Sequence, residues 1–166
     1  RSLYASARDA RFPTVQRDAL ALKALILYED LGQPEAALQT FEALVAEIAA
    51  RFVREFDPQH EHCWIAEQGG RIVGSAFVVR KSARVAQLRL LYVEPSARGQ
   101  GLGARLVDEC IRFARGQQYT TLMLWTNDVL RAARHVYESR GFVLQKQERH
   151  RAFGKAQVGQ YWTLAL

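Results

Sequence analysis

Apolar positions in this chain follow two rhythms, one of period two and one of about 3.6, and the changes between them divide the sequence into strands and helices. Residues 84–93 (RVAQLRLLYV) set Ala86, Leu88, Leu90 and Tyr92 on one side and Val85, Gln87, Arg89, Leu91 and Val93 on the other. That alternation predicts a strand, which Pro95 cannot extend. From Leu102 the apolar residues recur at Leu106, Val107, Cys110, Ile111, Phe113 and Ala114, with charged residues between them, the spacing of an amphipathic helix. Residues 120–126 (TTLMLWT) predict another strand. Asn127-Asp128 then offers a cap to a helix that carries Leu130, Ala133, Val136 and Tyr137 and stops at Gly141.

Upstream, residues 35–56 predict a long amphipathic helix with Leu38, Phe41, Leu44, Val45, Ile48, Phe52 and Phe56 in one stripe, ended by Asp57-Pro58. A shorter helix is expected over 17–31, before Gly32. Strands at 62–67 and 71–79 are joined through Gln68-Gly69-Gly70 as a hairpin, strands at 142–148 and 159–166 close the sheet, and a short strand at 11–15 begins it. No composition shift marks a linker, so residues 1–166 are expected to form a single domain.

The junction between the strand at 84–93 and the helix from Leu102 carries the chemistry. Glycines stand at 99, 101 and 103, where the backbone can approach a ligand closely, and the helix N-terminus offers unpaired N–H groups with about half a positive charge. An anion fits there, most naturally a pyrophosphate, with Arg98 as a cation at the rim. Nucleotide hydrolysis is disfavoured because Ala104-Arg105 follows Gly103 where a P-loop needs Lys-Ser or Lys-Thr. The spacing G-x-G-x-G also departs from the dinucleotide fingerprint G-x-G-x-x-G.

Arg98 to Gly103 resembles the Arg/Gln-x-x-Gly-x-Gly/Ala signature of the GNAT superfamily of N-acetyltransferases, and WTNDVLRAARHVYESRGF resembles the second coenzyme-binding block of that family. The resemblance implies an α/β GNAT fold: a mixed, mostly antiparallel sheet splayed between strands 4 and 5 and flanked by about four helices. It implies acetyl-coenzyme A as cosubstrate, bound by Leu91, Tyr92, Val93, Arg98, Gly99, Gln100, Gly101, Leu102, Gly103, Ala104, Asn127, Arg134 and Tyr137. Asn127 would bond the pantetheine arm, or else serve as a plain helix cap. Tyr137 would sit by the sulfur, or else be a packing aromatic.

Charge and cysteine usage refine this picture. The net charge of +6 comes from Lys and Arg scattered among acids, without a helix-turn-helix or zinc-finger pattern, so direct nucleic-acid binding is not expected and attraction of a polyanionic coenzyme is. Cys63 and Cys110 fall on apolar faces as reduced core thiols, and no metal-ligand spacing occurs. No apolar run reaches the length of a membrane span and no signal-peptide pattern opens the chain, so cytoplasmic residence is the expectation.

The strings FEALVAEIAARFV, CWIAE, VGSAFVV, LRLLYVEPSARGQGLG, LVDECIRFAR, LWTNDVL and HRAFGK resemble the acetyltransferase half of bacterial proteins that join a MarR-type winged helix to a GNAT domain. Too little sequence precedes the first helices for a winged helix, and Ala24 stands where that family usually carries a His before Leu27-Tyr28. Whether a DNA-binding half belongs to the full-length chain stays open.

The expected reaction is direct attack of a primary amine, of a small molecule or a protein lysine, on the thioester in a ternary complex. Tyr137 is the candidate acid and Glu94 the candidate base through water, and a backbone N–H within residues 91–93, where the strand bulges, would stabilise the oxyanion. His135 and His150 are weaker candidates, and Arg89 could meet an acidic acceptor or serve a salt bridge. The rival expectation is a non-catalytic acyl-coenzyme A sensor coupled to a transcriptional regulator. A homodimer is common among relatives of this kind.

Overall fold

The computed structural model describes residues 4–6, 50, 52, 54–152 and 155–166. The helix expected at 17–31, the strand at 11–15, the Ala24 region and most of the helix at 35–56 lie outside the described residues. Ala50, Phe52, Arg54 and Glu55 are helical and the helix has ended by Phe56, as Asp57-Pro58 implied.

Among the described residues, seven strands form one sheet in the order β1-β2-β3-β4-β5-β7-β6. They are β1 (Tyr4–Ser6), β2 (His62–Gln68), β3 (Arg71–Arg80), β4 (Val85–Val93), β5 (Thr121–Asn127), β6 (Val143–Ala152) and β7 (Lys155–Ala165). All neighbours run antiparallel except β4 and β5, which are parallel. Two helices are described in full, α1 (Leu102–Gly116) and α2 (Arg131–Ser139), with a 3-10 turn at Pro95–Ala97 between β4 and α1. Gly69 and Gly70 both take positive φ, the geometry a two-residue hairpin loop requires.

β4 and β5 pair only over Val85–Thr121, Ala86–Leu122 and Gln87–Met123, and beyond that point they part. The cause lies in β4. Its ladder to β3 slips between Ser75–Tyr92 and Phe77–Arg89, and Leu90 takes φ +50°, a left-handed conformation costly for a leucine. The buried Ser75 hydroxyl donates to Leu90 O at 3.2 Å and holds the bulge.

This bulge corrects the side assignment drawn from strict alternation. Ala86 and Leu88 belong to the core under α1, but past Leu90 the parity changes and Leu91 and Val93 pack on that same core, while Leu90 packs with Phe52, Ile65 and Phe77 on the other face. Arg89 therefore does not share a side with Leu91. Cys63 and Cys110 are both buried, in separate core clusters.

α1 buries Leu102, Leu106, Val107, Cys110, Ile111 and Ala114 against the sheet. It approaches β3 closely because Gly74 carries no side chain: a Cβ there would stand 3.0 Å from Tyr92 O, 3.2 Å from Leu106 Cδ1 and 3.3 Å from Leu102 Cδ2. No helix among the described residues is long and apolar enough to cross a membrane. Gly74→Ala is expected to cost about 1–3 kcal/mol by overpacking. Gly116→Ala, with nothing within 4 Å of the new methyl, is expected to be neutral or mildly stabilising. Urea unfolding midpoints of the two variants check this contrast.

Candidate active site at the parting of β4 and β5

The loop after β4 is shaped by two glycines. Gly99 and Gly101 adopt φ +76° and +72°, and Gly101 is the residue from which α1 starts. A side chain at either position would be strained even though open space surrounds it. Gly103 serves differently: a Cβ there would sit 3.4 Å from Val93 Cγ2, so α1 can begin tight against the end of β4. Among the described residues no backbone N–H from residues 99–104 finds an acceptor. The first turn of α1 also holds no acidic side chain that would neutralise its dipole. Six consecutive donors at a helix N-terminus make an anion cradle.

Arg98 is exposed and donates through Nε to Val93 O at 3.1 Å, which ties the loop to the strand end. Leu91, Tyr92 and Val93 form the last turn-in of β4 beyond the bulge, on the stretch that has no ladder partner on β5.

Asn127 closes β5, and the structure corrects its expected role as a cap. The N-terminal cap position of α2 belongs to Leu130, with no side-chain cap bond, and Asp128 pairs instead with β7, its N–H donating to Val158 O and its Oδ1 accepting from Val158 N. The Asn127 Oδ1 is left buried with no hydrogen-bond partner. A buried amide oxygen without a donor is costly, so Asn127 Oδ1 stands beside the parted strands as an acceptor able to take an N–H donor. Arg134 donates through Nη1 to Asp128 O at 3.1 Å, bracing the turn between β5 and α2, while its Nε is likewise buried and unpartnered.

Tyr137 is fixed by the way α2 ends. Gly141 takes φ +82°, its N–H donates to Glu138 O, and the Phe142 N–H reaches back to Tyr137 O, the bond pattern of a Schellman motif. The Phe142 ring lies 5.8 Å from that of Tyr137, and Arg140 grips Asp108 of α1 through Nε at 3.0 Å and Nη2 at 3.2 Å. Only 4% of Tyr137 is exposed, and burial pushes its phenol well above the ordinary tyrosine range, with the neighbouring Cys110 thiol adding to the shift.

Glu94 is half-buried just past β4, and its Oε2 accepts a hydrogen bond from the Tyr92 hydroxyl at 2.7 Å. Its own N–H donates to Val73 O. Tyr and Glu two apart at a strand end share a side by simple alternation, so this pair was visible in the sequence though it was not singled out. His135 is exposed on α2, and the His150 side chain lies outside the described residues. Among the described residues no group of three or more His, Cys, Asp or Glu could hold a metal ion.

Comparison with known proteins establishes the family and the fold. The pattern of the Acetyltransferase (GNAT) family matches residues 25–142, and the chain belongs to that family. It is 36% identical over 88 residues to N-acetyltransferase family 8 member 2 of Rattus norvegicus; the match covers 50% of this chain and 39% of that protein, so the chain spans about two-fifths of that relative's length. The ribosomal-protein-alanine N-acetyltransferase of Brucella melitensis has the same fold, with a TM-score of 0.71 at 21% identity over 99% of this chain and 100% of that one. So does a GNAT family acetyltransferase from Elizabethkingia anophelis crystallised with acetyl-CoA bound, with a TM-score of 0.59 at 16% identity, covering 72% and 82%.

The Tyr137 environment has a direct consequence for stability. An unfolded tyrosine ionises at about pH 10, while the buried phenol keeps its proton to higher pH. The folded state thus holds the extra proton above that point, and stability falls as pH rises beyond about 10. Urea midpoints measured between about pH 8 and 11 should show a steeper fall for the wild type than for Tyr137→Phe.

Proposed function

We propose that this chain binds acetyl-coenzyme A in the opening between β4 and β5 and transfers the acetyl group to a primary amine by direct attack. One observation carries the proposal: the unpartnered N–H groups of residues 99–104 and the orphaned Asn127 Oδ1 flank the same parting of strands, a donor set for a pyrophosphate and an acceptor for an amide arm. In this reading Arg98, Gly99, Gln100, Gly101, Leu102, Gly103 and Ala104 hold the pyrophosphate. Leu91, Tyr92, Val93, Asn127 and Arg134 line the rest of the coenzyme.

Chemically, the acceptor ammonium must first lose a proton, because its ordinary pKa near 10.4 leaves little free amine at neutral pH. Glu94, oriented by the Tyr92 hydroxyl, receives that proton through water. The amine nitrogen then adds to the thioester carbonyl, whose developing negative charge is met by a backbone N–H within residues 91–93 where the bulge has freed the β4 edge. The nitrogen, cationic after addition, sheds its second proton as the C–S bond breaks and the amide forms; the Tyr137 phenol gives its proton to the departing thiolate, and the proton shed by nitrogen passes through water to restore the phenol. Burial favours this pairing on both sides, keeping the phenol protonated at neutral pH and raising the proton affinity of a thiolate released in the same surroundings.

The strings shared with MarR-type fusions support placing the chain as an acetyltransferase unit of a bacterial cytoplasmic protein, with any winged-helix partner encoded outside these residues. Thiol release from acetyl-CoA against a panel of amines and lysine peptides, beside calorimetric binding of the coenzyme, tests the function. Tyr137→Phe is expected to lower turnover roughly 10²- to 10⁴-fold with coenzyme affinity nearly intact. Asn127→Ala is expected to weaken coenzyme binding roughly tenfold. Tight binding without turnover across the panel would favour the sensor, and turnover unchanged in Tyr137→Phe would remove that residue from the chemistry.

A further inference from the structure

On the face of the sheet turned away from α1, strands β5, β7 and β6 lay out two rows in register. One row is Asn127, Gly159 and Glu148; the next is Trp125, Tyr161 and Lys146. The Trp125 indole leans out of its own row and across Gly159, where a Cβ would come within 2.8 Å of Nε1, 2.9 Å of Cζ2 and 3.0 Å of Cε2. The absence of a side chain at 159 is what lets the ring lie there. It remains 41% exposed, whereas Trp64 and Trp162 are buried.

Beyond Gly159 the ring leads to a held carboxylate. Glu148 accepts from the Tyr161 hydroxyl at 3.0 Å through Oε1 and from Lys146 Nζ at 3.0 Å through Oε2. Lys146 Nζ also stands 5.6 Å from the centre of the Tyr161 ring. The face therefore places an aromatic surface between Asn127, at the coenzyme opening, and an acid whose surroundings already receive an ammonium group.

We propose that Trp125 and Glu148 form the acceptor subsite and select a primary amine whose far end carries a second positive charge. This rests on the transferase reading above and adds the substrate class to it. The reacting amine would enter beside Asn127, the connecting chain would lie over the indole, and the distal cation would meet the Trp125 face and the Glu148 carboxylate. Lys146 marks that cationic place and can yield it, since its side chain is 64% exposed and an exposed ion pair of this kind contributes little. An acceptor with an anionic far end would face Glu148 and be rejected.

The exposed indole supplies its own readout. Tryptophan fluorescence is titrated with 1,5-diaminopentane, pentylamine and 5-aminopentanoate, on the protein alone and with acetyl-CoA bound, and Trp125→Phe identifies the responding ring. The diamine is expected to saturate at a concentration on the order of tenfold below pentylamine, with 5-aminopentanoate weakest. Glu148→Gln and Gly159→Ala, the second tipping the indole from its seat, are both expected to erase the preference, and calorimetric acetyl-CoA binding shows whether each variant remains folded. Equal saturation by the diamine and pentylamine in the wild type, or a preference that survives Glu148→Gln, would overturn the proposal. Failure of acetyl-CoA to bind at all would instead sink the transferase reading, and the diamine preference would still be scored on the free protein.

Discussion

A leucine held in the left-handed region in the middle of β4 is the constraint on which the site depends. Leu90 at φ +50° costs about 1–2 kcal/mol relative to extended backbone, and the buried Ser75 hydroxyl bonded to its carbonyl returns about 1 kcal/mol. The slip it creates in the ladder to β3 lets β4 stay paired with β3 as far as Val93 while it leaves β5 after Gln87. Without that slip a parallel β4–β5 ladder would run on, and the strand edges that open toward the glycine loop would be consumed by hydrogen bonds.

The opening is lined by groups that folding leaves unsatisfied. Among the described residues, 99–104 keep their N–H groups free of protein acceptors, Asn127 keeps a buried amide oxygen without a donor, and Arg134 keeps a buried Nε without an acceptor. Elsewhere the same elements are bonded closely: the Schellman end of α2 fixes Tyr137 from behind, Arg140 clasps Asp108, and Gly74 admits α1 against β3. Rigid surroundings with a few open valences at one point are what a preorganised site requires.

Much of this was legible in the chain. The glycines at 99, 101 and 103 between an apolar strand and an amphipathic helix announced the loop, because few other functions tolerate glycine at that spacing. Among the described residues, the boundaries of β2 to β7, α1 and α2 followed from periodicity to within a few residues, while β1 at Tyr4–Ser6 was not expected. The bulge expected near residues 91–93 came with the family resemblance and not from periodicity, and its effect on the faces was missed: alternation assumes an unbroken period of two, and one left-handed residue exchanges the faces of Leu91, Tyr92 and Val93. Asn127 looked like a cap because Asn before a helical stretch usually is one; β7 takes the Asp128 backbone instead and delays α2 to Arg131. Trp125 over Gly159 joins residues of different strands, a pairing that local sequence cannot disclose.

The central claim is that the N–H groups at the start of α1 and the freed edge of β4 are the protein's contacts to its coenzyme. Amide hydrogen exchange, followed with and without saturating acetyl-CoA, addresses it residue by residue. The account predicts strong slowing at residues 99–104 and at 91–93, with little change along β6. Unchanged exchange in the glycine loop while the coenzyme is bound would contradict it.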